Sequence, residues 1–511
     1  MLAGEREFGF KHALTREVAY SSLPKARRGR LHAAFADWIE QHGGGRDEHA
    51  PLLAHHFAEA VRPEDVDLVW AGEQTQLETL RAKALTWLRR AAELAGARYA
   101  LDEQIVLLQR AVELDPSPTG RARLWREIAH AHALNFDDDA FKDSVLNAID
   151  ACSDEVELAE LYAEAAFHSA VRWQQEVDRE RIDDWSRLAL ELGGADSRAR
   201  ARAFVARAIC HPEEAEASAR EAEAIAVRLD DPELHSYALY ARADLALAAA
   251  DYDQARHLVE QRLDTLSRID DPDHRADAYW AALPAYLGTG RFDDARRIAR
   301  LHDEVTAQLT PHHQLHGVAV LLEVEQLAGA WERIRELTPR AERAAEQTTT
   351  RCLHSRLGLL TCALASAYLG DEEEARRLEA RSEEYGTDRY GREESPIWLA
   401  LHRGDLDAVE RLLGELERPG QSLLHSRKLA PVAARLDALA ALGRRDSLER
   451  DAPSLLRAGT YLEPYALRAL GLVREDSTLL EQAAARFAAM SLAWHAAQTR
   501  GTLTGIDALR T

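Results

Sequence analysis

Six copies of one short turn recur through the second half of this chain at a nearly fixed interval. The pattern reads small or turn residue, any residue, apolar, acidic, any, apolar, with Glu372 and Arg445 at the third place in two copies. The copies are Ala250-Asp251-Tyr252-Asp253-Gln254-Ala255, Gly290-Arg291-Phe292-Asp293-Asp294-Ala295, Gly329-Ala330-Trp331-Glu332-Arg333-Ile334, Gly370 to Ala375, Gly404 to Val409 and Gly443 to Leu448. Their starts lie 40, 39, 41, 34 and 39 residues apart. A repeat of that length holds one helical hairpin, which cannot bury its apolar face by itself. Stacked neighbours bury it together, and the expected fold is an all-α, right-handed superhelical solenoid.

The turn has a local rationale. A small first residue lets one helix end and the chain reverse. The acidic residue is expected at the start of the second helix, where it meets free amides and favours the helix dipole. The apolar residue before it staples the hairpin core. Arg256, Arg296, Arg335 and Arg376 follow on the second helices and are expected on a solvated face.

Composition narrows the function classes. With 511 residues the chain is too long for one compact core. A hydrophobic share of 46% excludes a disordered chain. The net charge of −23 repels phosphate backbones, so direct nucleic-acid binding is not expected. Cys152, Cys210, Cys352 and Cys362 form no C-x-x-C pair, which points to reduced thiols and a cytoplasmic setting. No run approaches the ~18 apolar residues of a membrane span.

The chain divides, on this reading, into residues 1–45, a helical connector over 46–97, the repeat array over 98–498 with about ten hairpins, and a frayed tail over 499–511. Within the first segment, Glu7 to His12 alternates like a short strand, and a helix follows from Thr15. Pro24 opens the next helix, Lys25 to Gln41, with Leu31, Ala34, Phe35, Trp38 and Ile39 as its expected inward face. Gly43-Gly44-Gly45 ends it. Weaker copies of the turn fall at Leu101-Asp102, Phe136-Asp137 and Pro212 to Ala215, and a distorted repeat is expected near Trp173 to Asp184.

Two segments carry a resemblance. Phe10-Lys11-His12-Ala13-Leu14-Thr15-Arg16-Glu17-Val18-Ala19-Tyr20, with Leu23-Pro24 and Arg30-Leu31-His32, resembles the winged-helix segment that follows the ATPase core of bacterial STAND-type signalling ATPases. These include maltose-regulator-like activators and ATPases fused to class III nucleotide cyclases. Leu85 to Glu93, running on to Tyr99, is similar to the start of their tetratricopeptide-like array. Ala485 to Met490, with Trp494 to Ala497, is similar to its end. The resemblance implies a winged-helix remnant followed by tetratricopeptide-like hairpins. It also implies a regulatory sensor and scaffold that binds a protein partner, such as a separately encoded ATPase, or a small-molecule inducer. By position His12 would be the histidine that approaches the bound nucleotide, here in trans; the alternative is a packing or capping histidine. The chain has no Gly-Lys pair, so the family's phosphate loop is absent, and the chain reads as the sensor half of such a system. The competing functional readings are a stand-alone adaptor bridging two proteins and a metal-dependent enzyme.

Neither metal nor cofactor is expected. His312, His313 and His316 have helical ligand spacing, but no H-E-x-x-H is present and no cysteine lies near in sequence. A solvated helix start after Pro311 is expected there, and helix-packing roles for His49, His55 and His56. No G-x-S-x-G occurs, and no catalytic activity is expected. Binding is assigned to the concave face. The candidates on first helices are Tyr237, Tyr240, Arg242, Tyr279, Trp280 and Tyr286, because exposed aromatics and arginine anchor interfaces. The competing reading puts these aromatics in the hairpin core. Tyr279 and Trp280 point ~100° apart on a helix, so both are not expected to be buried on one face.

Overall fold

The computed structural model describes residues 11–43, 46–173, 178–350, 352–386, 394–417 and 429–510. Among these residues every regular element is a helix, and consecutive helices pair antiparallel into stacked hairpins. The fold is an all-α helical solenoid. It falls into two compact units, Met1–Ala165 and Ala166–Thr511.

The six turns share one backbone solution. The first residue of each lies in the left-handed region: Ala250 (φ 54°), Gly290 (68°), Gly329 (68°), Gly370 (85°), Gly404 (70°) and Gly443 (64°). The amide of the second residue then donates back five residues, as from Asp251 to the Ala246 carbonyl at 2.8 Å, Asp405 to Ala400 at 3.0 Å and Arg444 to Leu439 at 2.9 Å. This is a Schellman closure, which satisfies carbonyls left open at a helix end. The same bond recurs at Ala100, Asp137, Asp231 and Asp476 after Tyr99, Phe136, Asp230 and Glu475, all with positive φ. The apolar sixth residue is completely buried in every copy: Ala255, Ala295, Ile334, Ala375, Val409 and Leu448 are each 0% exposed.

The second residue also opens the next helix. Where it is aspartate, its carboxylate caps: Asp251 accepts from the Gln254 amide, Asp371 from Glu374 and Asp405 from Ala408. Arg291, Ala330 and Arg444 make no such cap. The acidic residue at the fourth place, expected to meet these amides, sits within the first turn instead and acts through the dipole. The expected solvated arginine face also needs correction at Arg296, whose guanidinium grips buried Glu325 at 2.9 and 3.0 Å.

In the second unit the C-terminal segment, from Arg457 through the last hairpin, folds back onto the turns. Tyr461 donates its amide to the Gly288 carbonyl at 3.0 Å and its hydroxyl to the Leu327 carbonyl at 3.0 Å. His495 Nε2 donates to that same Leu327 carbonyl at 3.1 Å, and Arg457 reaches the Ala250 carbonyl at 2.9 Å. Trp494 packs on Trp331 and Tyr368, with ring centroids 5.0 and 4.8 Å apart. The helix Ala493–Arg510 runs past residue 498, where a frayed tail was expected.

A hydrophobic cluster of the first unit runs from Lys25–His42 to Pro118–Leu134. Ala36, Ile39, Leu53, Phe57, Trp70, Leu88, Leu108 and Ile128 all join it, across the boundaries expected at 45/46 and 97/98. Lys83 binds Asp37 and Glu40 at 2.7 and 2.6 Å and ties the long helix Gln74–Gly96 to Lys25–His42. The expected inward face of Lys25–His42 is corrected. Its buried residues are Gly29, His32, Ala33, Ala36 and Ile39, while Leu31 and Phe35 are 48% and 43% exposed. Small residues let this helix approach closely: a Cβ on Gly29 would stand 2.8 Å from Val69. The expected strand over 7–12 lies outside the described residues except for Lys11 and His12.

The two kinds of turn glycine separate by mutation. Gly404→Ala has open space and loses about 1 kcal/mol from φ alone. Gly329→Ala also sets a Cβ 3.2 Å from Trp494 and His495. Urea unfolding is expected to show the larger loss for Gly329→Ala. Equal losses would contradict the close approach.

Candidate functional site

The concave-face candidates lie mostly inside the second unit's packing. Tyr237, Tyr240, Tyr279 and Tyr286 are 9%, 6%, 9% and 3% exposed, so they form core rather than an open aromatic surface. Tyr237 sits between Phe167 and His274, with centroids 4.7 and 4.6 Å away. Trp280 is half-buried, in keeping with the angle separating it from Tyr279. Arg242 is half-buried and paired with Glu223 at 2.8 Å.

Beneath these tyrosines runs a buried polar network that no local sequence pattern marks. Arg262, 1% exposed, donates to Asp277 at 2.6 Å and to the Ser236 hydroxyl at 3.0 Å, and stacks over Tyr237 and Tyr240. Ser236 lies 2.7 Å from His274 Nε2. Next to it, Asp273 is held by the Arg172 guanidinium on one oxygen and by His313 Nε2 at 2.9 Å on the other. The His313 Nδ1 accepts from the Thr310 hydroxyl at 2.7 Å. Hydroxyl, imidazole and carboxylate thus stand in line, but Thr310 is 5% exposed and its oxygen caps the helix Pro311–Ala328. A hydroxyl so enclosed is a structural partner, not a presented nucleophile.

The charges follow from the enclosure. Burial works to raise the Asp273 carboxyl, and the Arg172 guanidinium and His313 overcome it, holding the group far below the usual carboxylate range. Burial, with Arg262 beside it, pushes His274 down to about 3. His495 is pushed to about 3 by burial and then by Arg468. Such imidazoles stay neutral in the folded chain.

Two histidine clusters also form. In the first unit His32, His55 and His56 bring ring nitrogens together, with His32 Nδ1 2.7 Å from His56 Nδ1 and the Tyr20 hydroxyl 2.9 Å from His32 Nε2. His49, expected beside His55 and His56, instead faces Glu48 at 3.7 Å. His55 is exposed. In the second unit His312 and His316 meet Cys352. His312 and His313 are 5% and 3% exposed, so the helix start after Pro311 is enclosed rather than solvated. The cysteine that the sequence places 36 residues away arrives through stacking, one repeat on. His12 is exposed at the N-cap of Ala13–Ser21, and its side chain makes no cap there.

An open cavity of about 510 Å³ lies between the helices Arg179–Leu192 and Arg198–Cys210. Of its lining arginines, Arg187 pairs with Asp184 and Glu191, Arg207 pairs with Glu214, and Arg200 donates to the Leu190 carbonyl at 3.3 Å and lies over the Phe204 ring, while His211 meets Asp183. No helix among the described residues is long and apolar enough to cross a membrane.

No family model matches the chain, and no curated protein matches it. Among solved structures it is similar to a circular tandem repeat protein with novel repeat topology and enhanced subunit contact surfaces, at 16% identity, over 90% of this chain and 97% of that one, with a TM-score of 0.13.

Acid should act on this unit earlier than carboxylates require. A histidine with a lowered folded pKa contributes stability that is complete above the unfolded value near 6.5 and lost as pH falls from there toward 3. Urea titrations should lose roughly 2 kcal/mol per such histidine between pH 7 and 5. Stability unchanged to pH 5 would contradict neutral burial. Asp273→Asn removes the carboxylate that faces the buried Arg172 guanidinium and is expected to cost roughly 3 kcal/mol or more at pH 7. A cost under about 1 kcal/mol would show that the pair is not enclosed.

Proposed function

We propose that the chain is a non-catalytic sensor and interaction scaffold of a STAND-type signalling system, docking through its first two helices onto an ATPase module. The helical repeat scaffold is suited to protein interaction, because stacked hairpins offer extended surface. The observation that carries the finer reading is the outer face of the first two helices. Ala13–Ser21 buries none of its side chains. Leu14 and Val18, one helical turn apart, are 71% and 63% exposed, and Leu31 and Phe35 repeat that spacing on Lys25–His42. A helix gains its stability chiefly by burying an apolar stripe, and exposed apolar pairs at this spacing mark a face that meets another protein.

The face coincides with the segment that resembles the family's winged helix. In that setting the stripe would lie against the ATPase, and exposed His12 would stand at the same edge, where it would sense the nucleotide in trans. The array would take the signal, from a protein or a small inducer.

Capture with the full chain, followed by mass spectrometry, tests the reading. The expected partner carries a G-x-x-x-x-G-K-[ST] loop, and Leu14→Glu with Val18→Glu is expected to weaken its capture at least about tenfold. An unchanged partner set in that variant would overturn the docking face. A partner without a phosphate loop would overturn the ATPase assignment.

A further inference from the structure

We propose that His312, His316, Cys352 and His354 form a zinc site that clamps two consecutive hairpins of the second unit. His312 and His316 stand one turn apart at the start of Pro311–Ala328, so their rings project from the same face. Cys352 is the N-cap residue of Leu353–Tyr368, the first helix of the next hairpin, and His354 lies just inside that helix. Stacking brings the two helix starts together.

The donor atoms already have the spacing of a coordination shell. His316 Nε2 lies 3.3 Å from Cys352 Sγ, and Cys352 Sγ lies 3.4 Å from His354 Nδ1. With zinc–nitrogen bonds near 2.0 Å and a zinc–sulfur bond near 2.3 Å, the nitrogen–sulfur edge of a tetrahedron is about 3.5 Å. The donor atoms of His312, His316 and Cys352 all lie within 4.8 Å of one another. The ring centroids of His312 and His316 are 4.6 Å apart, and those of His316 and His354 are 4.4 Å apart. His354 lies outside that set of three, with its Nδ1 beside Cys352 Sγ, and a side-chain rotation would bring it in as the fourth donor.

The donor set selects the metal. Three imidazoles and one thiolate suit zinc, and disfavour magnesium and calcium, which take oxygen ligands. A bound divalent ion draws the proton off a coordinating thiol. On binding, the Cys352 S–H bond breaks, sulfur keeps the electron pair for the metal, and the proton leaves to solvent.

The site would serve structure and regulation rather than catalysis. Its ligands come from first helices of adjacent hairpins, so metal occupancy sets the strength of one repeat junction. In a stacked array such a junction contributes directly to cooperativity.

Tag-free full-length chain, stripped with chelator and titrated with cobalt(II), provides the test. One equivalent is expected to give the intense visible bands of a four-coordinate ion and a near-ultraviolet thiolate-to-metal band. Zinc should displace the cobalt and raise the unfolding midpoint in a concentration-dependent way. Cys352→Ser is expected to abolish the thiolate band, and His316→Gln to weaken zinc binding at least about tenfold, with far-ultraviolet dichroism confirming that both are folded. His55→Gln with His56→Gln leaves the thiolate band intact, which separates this site from the first-unit cluster. Absence of a thiolate band in the unmodified chain overturns the proposal. So does a band that survives Cys352→Ser.

Discussion

Every reversal in this chain must satisfy the carbonyls left over where a helix stops. The Leu327 carbonyl shows how far that requirement reaches. It lies in the last turn of Pro311–Ala328 and accepts from both the Tyr461 hydroxyl and His495 Nε2, residues 134 and 168 positions further along. The Gly288 and Ala250 carbonyls, at the ends of the two preceding first helices, are met by Tyr461 and Arg457 in the same way. One residue in the left-handed region ends each helix, one amide closes it, and three of these closures then become a docking edge for the chain's own C-terminal segment from Arg457 on. The turn glycines reflect both duties. Gly370, Gly404 and Gly443 need positive φ and have open space around them, whereas Gly290 and Gly329 also admit Met490 and Trp494 at close range.

Much of this was legible in the sequence, because a short turn with a fixed backbone solution leaves a fixed residue pattern. The position of the small residue, the buried sixth residue and the hairpin stacking all follow from local chemistry. Cap identity was misplaced by two residues, since an acidic side chain serves either the cap or the dipole and the pattern does not distinguish them. The outward turn of Leu31 and Phe35 was hidden for a different reason. Helix periodicity identifies a stripe, and here the buried stripe is built from Gly29, His32, Ala33 and Ala36, whose small size favours close packing over hydrophobic content. The aromatic candidates at Tyr237, Tyr240, Tyr279 and Tyr286 meet side chains from neighbouring repeats, which a reading of one helix at a time does not supply.

Polar groups brought together by stacking were the least visible of all. Arg172, Asp273 and His313 are spread over 142 positions, and Cys352 reaches His316 from 36 positions away. No local pattern marks such partners. The period does: residues about one repeat apart at equivalent places on first helices become neighbours. That rule joins His313 to Asp273, 40 residues apart, and Cys352 to His316. It would have drawn attention to the second histidine cluster before any coordinates.

Three of the six turns are covered and three are open within one array. Hydrogen–deuterium exchange on the intact chain reads this with an internal control, because all six turns share the same backbone bonds. Amides around Ala250, Gly290 and Gly329 are expected to exchange much more slowly than those around Gly370, Gly404 and Gly443. Equal exchange across the six turns would show that the last hairpin does not dock on the turn edge.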